Sequence, residues 1–240
     1  MSGLRLENIT KSFGAIQVLQ PMTLAFKAGQ VTAIVGDNGA GKSTLLKVMA
    51  GIHKPNAGAI YLDDKLLTNL SAADHRACGV EMVYQDLALA KQQNVVANLF
   101  LGREQTRTCF GFLNRTAMAE RAKNELNRLG ISIADLNTPV GMLSGGQQQA
   151  VAIARAALFE PKVLLFDEPT AALAAREVGQ VLDLIRQQKE QGRIVILVSH
   201  RLNDVFAVAD RIVVMKQGRL ISDTPTAATS MSKVVENIVG

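Results

Sequence analysis

Gly36-Asp37-Asn38-Gly39-Ala40-Gly41-Lys42-Ser43-Thr44 fits G-x-x-x-x-G-K-[ST]. Glycines let bare amides approach an oligophosphate where Cβ atoms would block it, and they tolerate the unusual backbone angles of such a loop. A helix opening at Lys42 adds free N–H groups and a partial positive charge. In this pattern Lys42 neutralises the β- and γ-phosphates, and Ser43 offers Mg²⁺ the oxygen ligand it prefers. A Gly-rich turn joining a strand to a helix needs neither the lysine nor the hydroxyl. The spacing therefore points to nucleotide phosphates.

Five other groups carry chemistry. Val163-Leu164-Leu165-Phe166 ends in Asp167-Glu168-Pro169. A buried parallel strand delivers its last residues to the carboxyl edge of its sheet, where ligands of α/β proteins bind. Asp167 is then suited to reach Mg²⁺ through water, and Glu168 to polarise an attacking water. His200 follows the apolar run Ile194–Val198 and Ser199, and Gln85 follows Val80-Glu81-Met82-Val83-Tyr84; both fall at the same edge. Gln85 can contact Mg²⁺ and the water. Leu143-Ser144-Gly145-Gly146-Gln147 opens a helix with two glycines, each about 1 kcal/mol worse than alanine in a helix interior. A plain Ser cap explains Ser144; the diglycine makes sense if its N–H groups approach a second phosphate. Phe13, one of eight phenylalanines, lies in the polar stretch Lys11-Ser12-Phe13-Gly14, where it plugs the core or offers its face to an adenine. His53 and His75, in turn and helix contexts, read as exposed or satisfied in the core.

The elements that position these groups are legible in outline. Leu4–Ile9 alternates as a half-buried strand, Met22–Phe26 gives a second, and Ala28-Gly29 turns into the strand Val31–Val35 that feeds the phosphate loop. Pro55–Gly58 marks a turn before the strand Ala59–Leu62, and Ser71 caps a short helix over Ala72–Ala77. From Asp86 to about Phe159 the strand signal almost vanishes. Val96, Leu99 and Phe100 share a helical face, Thr116 starts a helix through Ala119, Ala122, Leu126 and Leu129 to Gly130, and a third begins near Gly145. Val178, Val181, Leu182 and Ile185 form the stripe of a crossover helix ending at Gly192, between the strands that carry Asp167 and His200. Ile212–Met215, Gln217-Gly218 and Leu220-Ile221 read as a hairpin, and Met231, Val234, Val235 and Ile238 as one face of a last helix.

The 240 residues suffice for one large domain, or a core with a subdomain. Lys and Arg number 26 against 21 Asp and Glu, a mild excess without the long basic run of a nucleic-acid binder. Two cysteines, Cys78 and Cys109, have neither metal-ligand nor redox spacing. Met1-Ser2-Gly3-Leu4-Arg5-Leu6-Glu7 is charged too early for a secretory segment, and the apolar runs are strand-length. The expectation is a cytosolic protein held at any membrane by another chain.

In order and approximate spacing, Gly36–Thr44, Gln85, Leu143–Gln147, Leu164–Glu168 and His200 resemble the ATP-binding-cassette (ABC) ATPases end to end. Leu-Ser-Gly-Gly-Gln is that family's own mark. The resemblance implies an α/β fold: a P-loop NTPase core of mostly parallel sheet flanked by helices, an N-terminal antiparallel β subdomain and an inserted helical subdomain. Residues 1–85 and 160–240 would form the RecA-like core with its antiparallel β subdomain, and 86–159 the helical subdomain. It further implies ATP and Mg²⁺ bound between two copies arranged head to tail. Ser144, Gly145, Gly146 and Gln147 of one copy would then face the γ-phosphate held by Gly36–Thr44 of the other. Lys42, Gln85, Glu168 and His200 would be catalytic, with Glu168 as the base and His200 on the γ-phosphate. Ser43, Gln85 and Asp167 would hold the metal, and Phe13 would stack on adenine. The region after Gln85 would receive a helix from a transmembrane permease at the cytoplasmic face of the bacterial inner membrane.

Leu99–Glu104, Pro169-Thr170-Ala171-Ala172-Leu173, Ser199–Leu202 and Ala209-Asp210-Arg211 are similar to monosaccharide importers of the ribose, xylose and fructose type, which work with a periplasmic or extracellular sugar-binding protein. With one cassette in the chain, the resemblance implies a homodimer that needs no nucleic acid. The family's usual Asp in Ser-Ala-Leu-Asp is Ala174 here, so a carboxylate that crosses the dimer interface is missing. The competing reading is a soluble ABC ATPase that remodels nucleic acid or ribosomes, whose relatives carry coiled-coil insertions or tandem cassettes with basic linkers.

Overall fold

The computed structural model describes residues 3–107, 111–171 and 173–240. Met1, Ser2, Cys109 and Ala172, named above, lie outside them.

In chain order the elements are β1 (Gly3–Phe13), β2 (Ile16–Lys27), β3 (Gln30–Val35), α1 (Lys42–Met49), β4 (Ala57–Leu62), β5 (Lys65–Leu66), α2 (Ala72–Ala77) and β6 (Val80–Val83). The helical stretch holds α3 (Val95–Leu99), β7 (Thr106–Arg107), β8 (Phe112–Leu113), α4 (Arg115–Arg128) and α5 (Gly145–Ala157). The chain closes with β9 (Val163–Asp167), α6 (Ala175–Glu190), β10 (Ile194–Val198), α7 (Leu202–Val208), β11 (Arg211–Lys216), β12 (Arg219–Pro225) and α8 (Met231–Val239).

Two sheets organise the fold. The larger runs β12-β11-β3-β10-β9-β6, with β11, β3, β10, β9 and β6 parallel and β12 antiparallel at one edge. The smaller, β2-β1-β4-β5, is antiparallel throughout. The central strands are covered on both faces, which is why they read as unbroken apolar runs. Leu164 and Phe166 of β9 pack into one core, with α4, α5 and α6; Val163 and Leu165 pack into the other, with α1 and the antiparallel sheet. The same alternation divides Val195 and Leu197 from Ile194, Ile196 and Val198.

Three expectations shift. β2 begins at Ile16, well before Met22; Pro21 is tolerated because β2 is an edge strand and its missing donor breaks no central ladder. Helix α4 starts at Arg115 because Asn114, not Thr116, supplies the cap, accepting the Ala117 N–H at 3.3 Å. The stretch from Asp86 to Phe159 does contain strand, the β7–β8 pair, but two residues a side leave no periodicity to read. His75 is the core-satisfied histidine, its Nδ1 3.0 Å from the Met49 carbonyl oxygen and its Nε2 3.0 Å from that of Leu67.

Candidate functional site

The phosphate loop leaves β3 and enters α1 through two glycines at which a side chain would be both strained and crowded. At Gly36 (φ 151°) a Cβ would overlap the Met215 carbonyl oxygen. At Gly41 (φ 96°) it would meet Leu19 Cδ2 at 2.8 Å and the Val18 carbonyl oxygen at 2.9 Å. From beneath, the Gly218 N–H of the β11–β12 turn donates to the Ala40 carbonyl at 3.0 Å. The loop is thereby held open by backbone packing on a neighbouring hairpin.

Lys42 is buried and donates from Nζ to the carbonyls of Gly36 and Asp37, each at 2.8 Å. Burial pushes its pKa down, against the opposing pull of Glu168, Asp37 and Asp167. Its ammonium is thus folded across the loop whose ligand it would neutralise. Ser43 donates from Oγ to Asp167 Oδ1 at 2.9 Å, joining the loop to the end of β9. Asp167 is 5 % exposed, and desolvation raises its carboxyl pKa despite the Ser43 bond, so its ionised form is short of positive charge. Two hard oxygen donors side by side, one under-compensated, suit Mg²⁺, which takes oxygen ligands and retains water.

Glu168 has φ 52°, a left-handed conformation unusual for a residue with a side chain. Its N–H donates to the Val198 carbonyl at 2.9 Å, and Oε2 lies 2.8 Å from His200 Nδ1. A buried brace sits behind this turn. Thr170 Oγ1 donates to Asp204 Oδ2 at 2.7 Å, and Arg201 Nη1 donates to the Thr170 carbonyl at 3.0 Å.

These residues surround one open cleft of about 420 Å³, lined by Val18, Asn38, Gly39, Gly41, Lys42, Ser43, Thr44, Gln85, Glu168 and His200. Gly36, Asp37 and Ala40 complete the loop, and Asp167 reaches it through Ser43. Phe13 does not line the cleft. It ends β1, 44 % exposed, edge-on to His53 with centroids 5.1 Å apart, and the Lys11 ammonium sits 4.9 Å from its ring centroid. Ser144, Gly145, Gly146 and Gln147 open α5. Ser144, Gly146 and Gln147 line a separate groove of about 670 Å³ that shares no residue with the cleft. The cleft therefore has a phosphate loop, a base candidate and metal-ligand oxygens on one side, but not the diglycine donors.

Sequence reasoning missed Val18, Thr170, Asp204 and Glu177. The Thr170–Asp204 bond spans 34 positions, so no local pattern announces it. Glu177 carries a readable sign, an acid at the third position of a helix; the cap residue that would complete that pattern is Ala174.

A family model described as "ABC transporter" matches residues 19–171. The xylose/arabinose import ATP-binding protein XylG of Sulfolobus acidocaldarius is 42% identical over 97% of this chain and 92% of its own length. The ribose import ATP-binding protein RbsA of Chromobacterium violaceum is 40% identical over 98% of this chain, which spans only 46% of that protein. Among solved structures, a dimeric bacterial ABC transporter cassette superposes with a TM-score of 0.80 at 27% identity, covering 93% of this chain and 98% of that one.

Proposed function

The chain belongs to the ABC transporter family, and from that premise we propose that two copies bind and hydrolyse ATP to power a permease that imports a monosaccharide. Residues 1–85 and 160–240 act as the nucleotide-binding core with its antiparallel subdomain, and 86–159 as the helical subdomain facing the permease. No helix among the described residues is long and apolar enough to cross a membrane, consistent with peripheral attachment to a membrane partner. The names of the similar proteins support a sugar substrate, selected outside this chain by the permease and its binding protein.

In this reading Gly36–Thr44 wraps the phosphates and Phe13 covers the adenine. Lys42 exchanges its two carbonyl partners for β- and γ-phosphate oxygens. Ser43, Asp167 and Gln85 would hold Mg²⁺, which when bound neutralises charge on the β- and γ-oxygens. Glu168 accepts a proton from the attacking water, and the His200 contact keeps its carboxylate turned toward the cleft. Ser144–Gln147 of one copy donates to the γ-phosphate bound by the other. ATP does mechanical work here only by favouring the closed pair over the open one.

The observation that carries the reading is the separation of the two half-sites: hydrolytic groups around one cleft, diglycine donors around another. Glu168→Gln, which keeps shape but loses the base, tests it. The variant should accumulate as an ATP-bound dimer, seen as a doubled mass by size exclusion with light scattering. A monomer at saturating ATP, or full-speed hydrolysis by a lone copy, would sink it.

A further inference from the structure

The donors at the head of α5 are occupied from within the chain. Gly146 N–H donates to Glu177 Oε1 at 2.9 Å, and Ser144 Oγ donates to the same oxygen at 3.2 Å. The other carboxylate oxygen, Oε2, accepts the Ala174 N–H at 3.3 Å. Glu177 therefore bridges the N-termini of two helices, α5 of 13 residues and α6 of 16.

The fit is close. A Cβ on Gly146 would lie 2.7 Å from both Glu177 Cγ and Oε1, so the absence of a side chain at 146 lets the carboxylate reach the backbone amide. Ala174, the N-cap of α6, has no side-chain oxygen to cap its own helix. Glu177 reaches back to the Ala174 N–H and forward to α5 with one charged group.

We propose that Glu177 is an internal stand-in for the γ-phosphate, ligating the Ser144–Gly146 donors of each free copy until a nucleotide-loaded second copy displaces it. This rests on the reading of Ser144–Gln147 as a phosphate site acting across the dimer. A carboxylate oxygen and a phosphate oxygen are both anionic acceptors for the same N–H and O–H. They cannot share those two donors, and like charges this close repel. Closure thus requires Glu177 to swing away, which raises the ATP concentration at which the dimer forms. The donors that hold the carboxylate, Gly146 N–H foremost, also keep its pKa below the usual range, so the stand-in is ionised at neutral pH.

Glu177→Gln separates this role from simple helix capping. Glutamine loses the charge and keeps one acceptor oxygen, enough for the Gly146 N–H or the Ala174 N–H but not both, since the carboxylate meets them with different oxygens. Full-length Glu168→Gln, Glu168→Gln/Glu177→Gln and Glu168→Gln/Glu177→Ala would be titrated with ATP and Mg²⁺ in analytical ultracentrifugation. Apoprotein thermal midpoints would be read alongside, to register any loss of the α6 cap in the Ala variant. The expected result is a dimerisation midpoint at least threefold lower in ATP for the Gln double variant than for its parent. A midpoint equal to or above the parent's, in a parent that does dimerise, overturns the stand-in alone. If all three stay monomeric at saturating ATP, the trans-site reading falls and takes the stand-in with it.

Discussion

Glu168 Oε2 lies 2.8 Å from His200 Nδ1 while the Glu168 backbone is held at φ 52°, so a strained residue and an imidazole fix one carboxylate between them. A non-glycine residue in this region costs on the order of 1–3 kcal/mol and persists only where its surroundings impose it. Here they do: the Glu168 N–H is tied to Val198 and its carbonyl accepts the Ala171 N–H at 3.1 Å. With the backbone turned this way just after β9, Glu168 lines the cleft beside His200.

For the base itself, Glu168→Gln should lower the rate of phosphate release by about 10²–10⁴-fold, the usual contribution of general base catalysis. Nucleotide affinity should be preserved, because the phosphate loop is untouched. Single-turnover phosphate release and equilibrium nucleotide binding separate the two effects.

Lys42→Met removes the one cation folded across the loop. Charge-assisted hydrogen bonds contribute roughly 1.5–3 kcal/mol, so ATP affinity should fall about tenfold to a hundredfold. Fluorescent-nucleotide titration reads the loss. An unchanged affinity would mean that Lys42 keeps its carbonyl partners when nucleotide binds.

Asp167 links function to stability. Its carboxyl pKa is raised by burial, so its stabilising contribution is complete below the unfolded carboxyl pKa and is lost as pH rises through the raised value. Near neutral pH the ionised group destabilises the apoprotein. Asp167→Asn stays neutral and can still accept from Ser43, so apoprotein Tm should rise by a few degrees at pH 7.5; about 1 kcal/mol shifts Tm by roughly 2–4 °C for a chain of this size. The gap should close at low pH, and Mg²⁺-dependent turnover should be lost. Calorimetry across pH checks the sign.

Asp204 touches neither the cleft nor its catalytic candidates, yet it anchors Thr170 just after the strained turn. Asp204→Ala leaves the buried Thr170 hydroxyl without its acceptor, at a cost of about 1–3 kcal/mol, and also removes the carboxylate 3.4 Å from Arg201 Nε. The turn that aims Glu168 should loosen, lowering kcat with little change in KM for ATP. Asp204→Asn, which keeps an acceptor, should restore much of the rate.

Gly41→Ala places a Cβ against Leu19 and the Val18 carbonyl at a left-handed φ. Both strain and overlap act at the mouth of α1, so the variant should lose thermal stability and nucleotide binding together. Gly39→Ala is a useful contrast for stability: φ is 82° there, but a Cβ would meet no protein atom within 4 Å, so in the apoprotein only the conformational penalty should appear.

Much of the site was readable because its parts are local. Gly36–Thr44 is one continuous loop; Asp167 is the last residue of a parallel strand, and Glu168, His200 and Gln85 sit one or two positions past such strands. The Ser144 cap was equally local, while the reciprocal bond from the Ser144 N–H to Gln147 is a structural finding. The two-residue strands of the β7–β8 pair, the Asn114 cap and the early start of β2 at Ile16 were harder. Each depends on one side-chain contact or on a strand's place at a sheet edge, and neither changes hydrophobic period.

By itself the sequence determined which chemistry is present: a phosphate loop, acids, an amide and an imidazole at strand ends, and a diglycine helix start. Side-chain type and short-range spacing suffice for that. Only the tertiary structure decided which of these groups share a cavity. Strand order brings Glu168 and His200 from adjacent β9 and β10 to the phosphate loop after β3, whereas packing of α5 on α6 turns Ser144 and Gly146 toward Glu177 and a different groove. Contacts between residues more than thirty positions apart are set by how whole helices and strands bury their apolar faces, and no local pattern contains them.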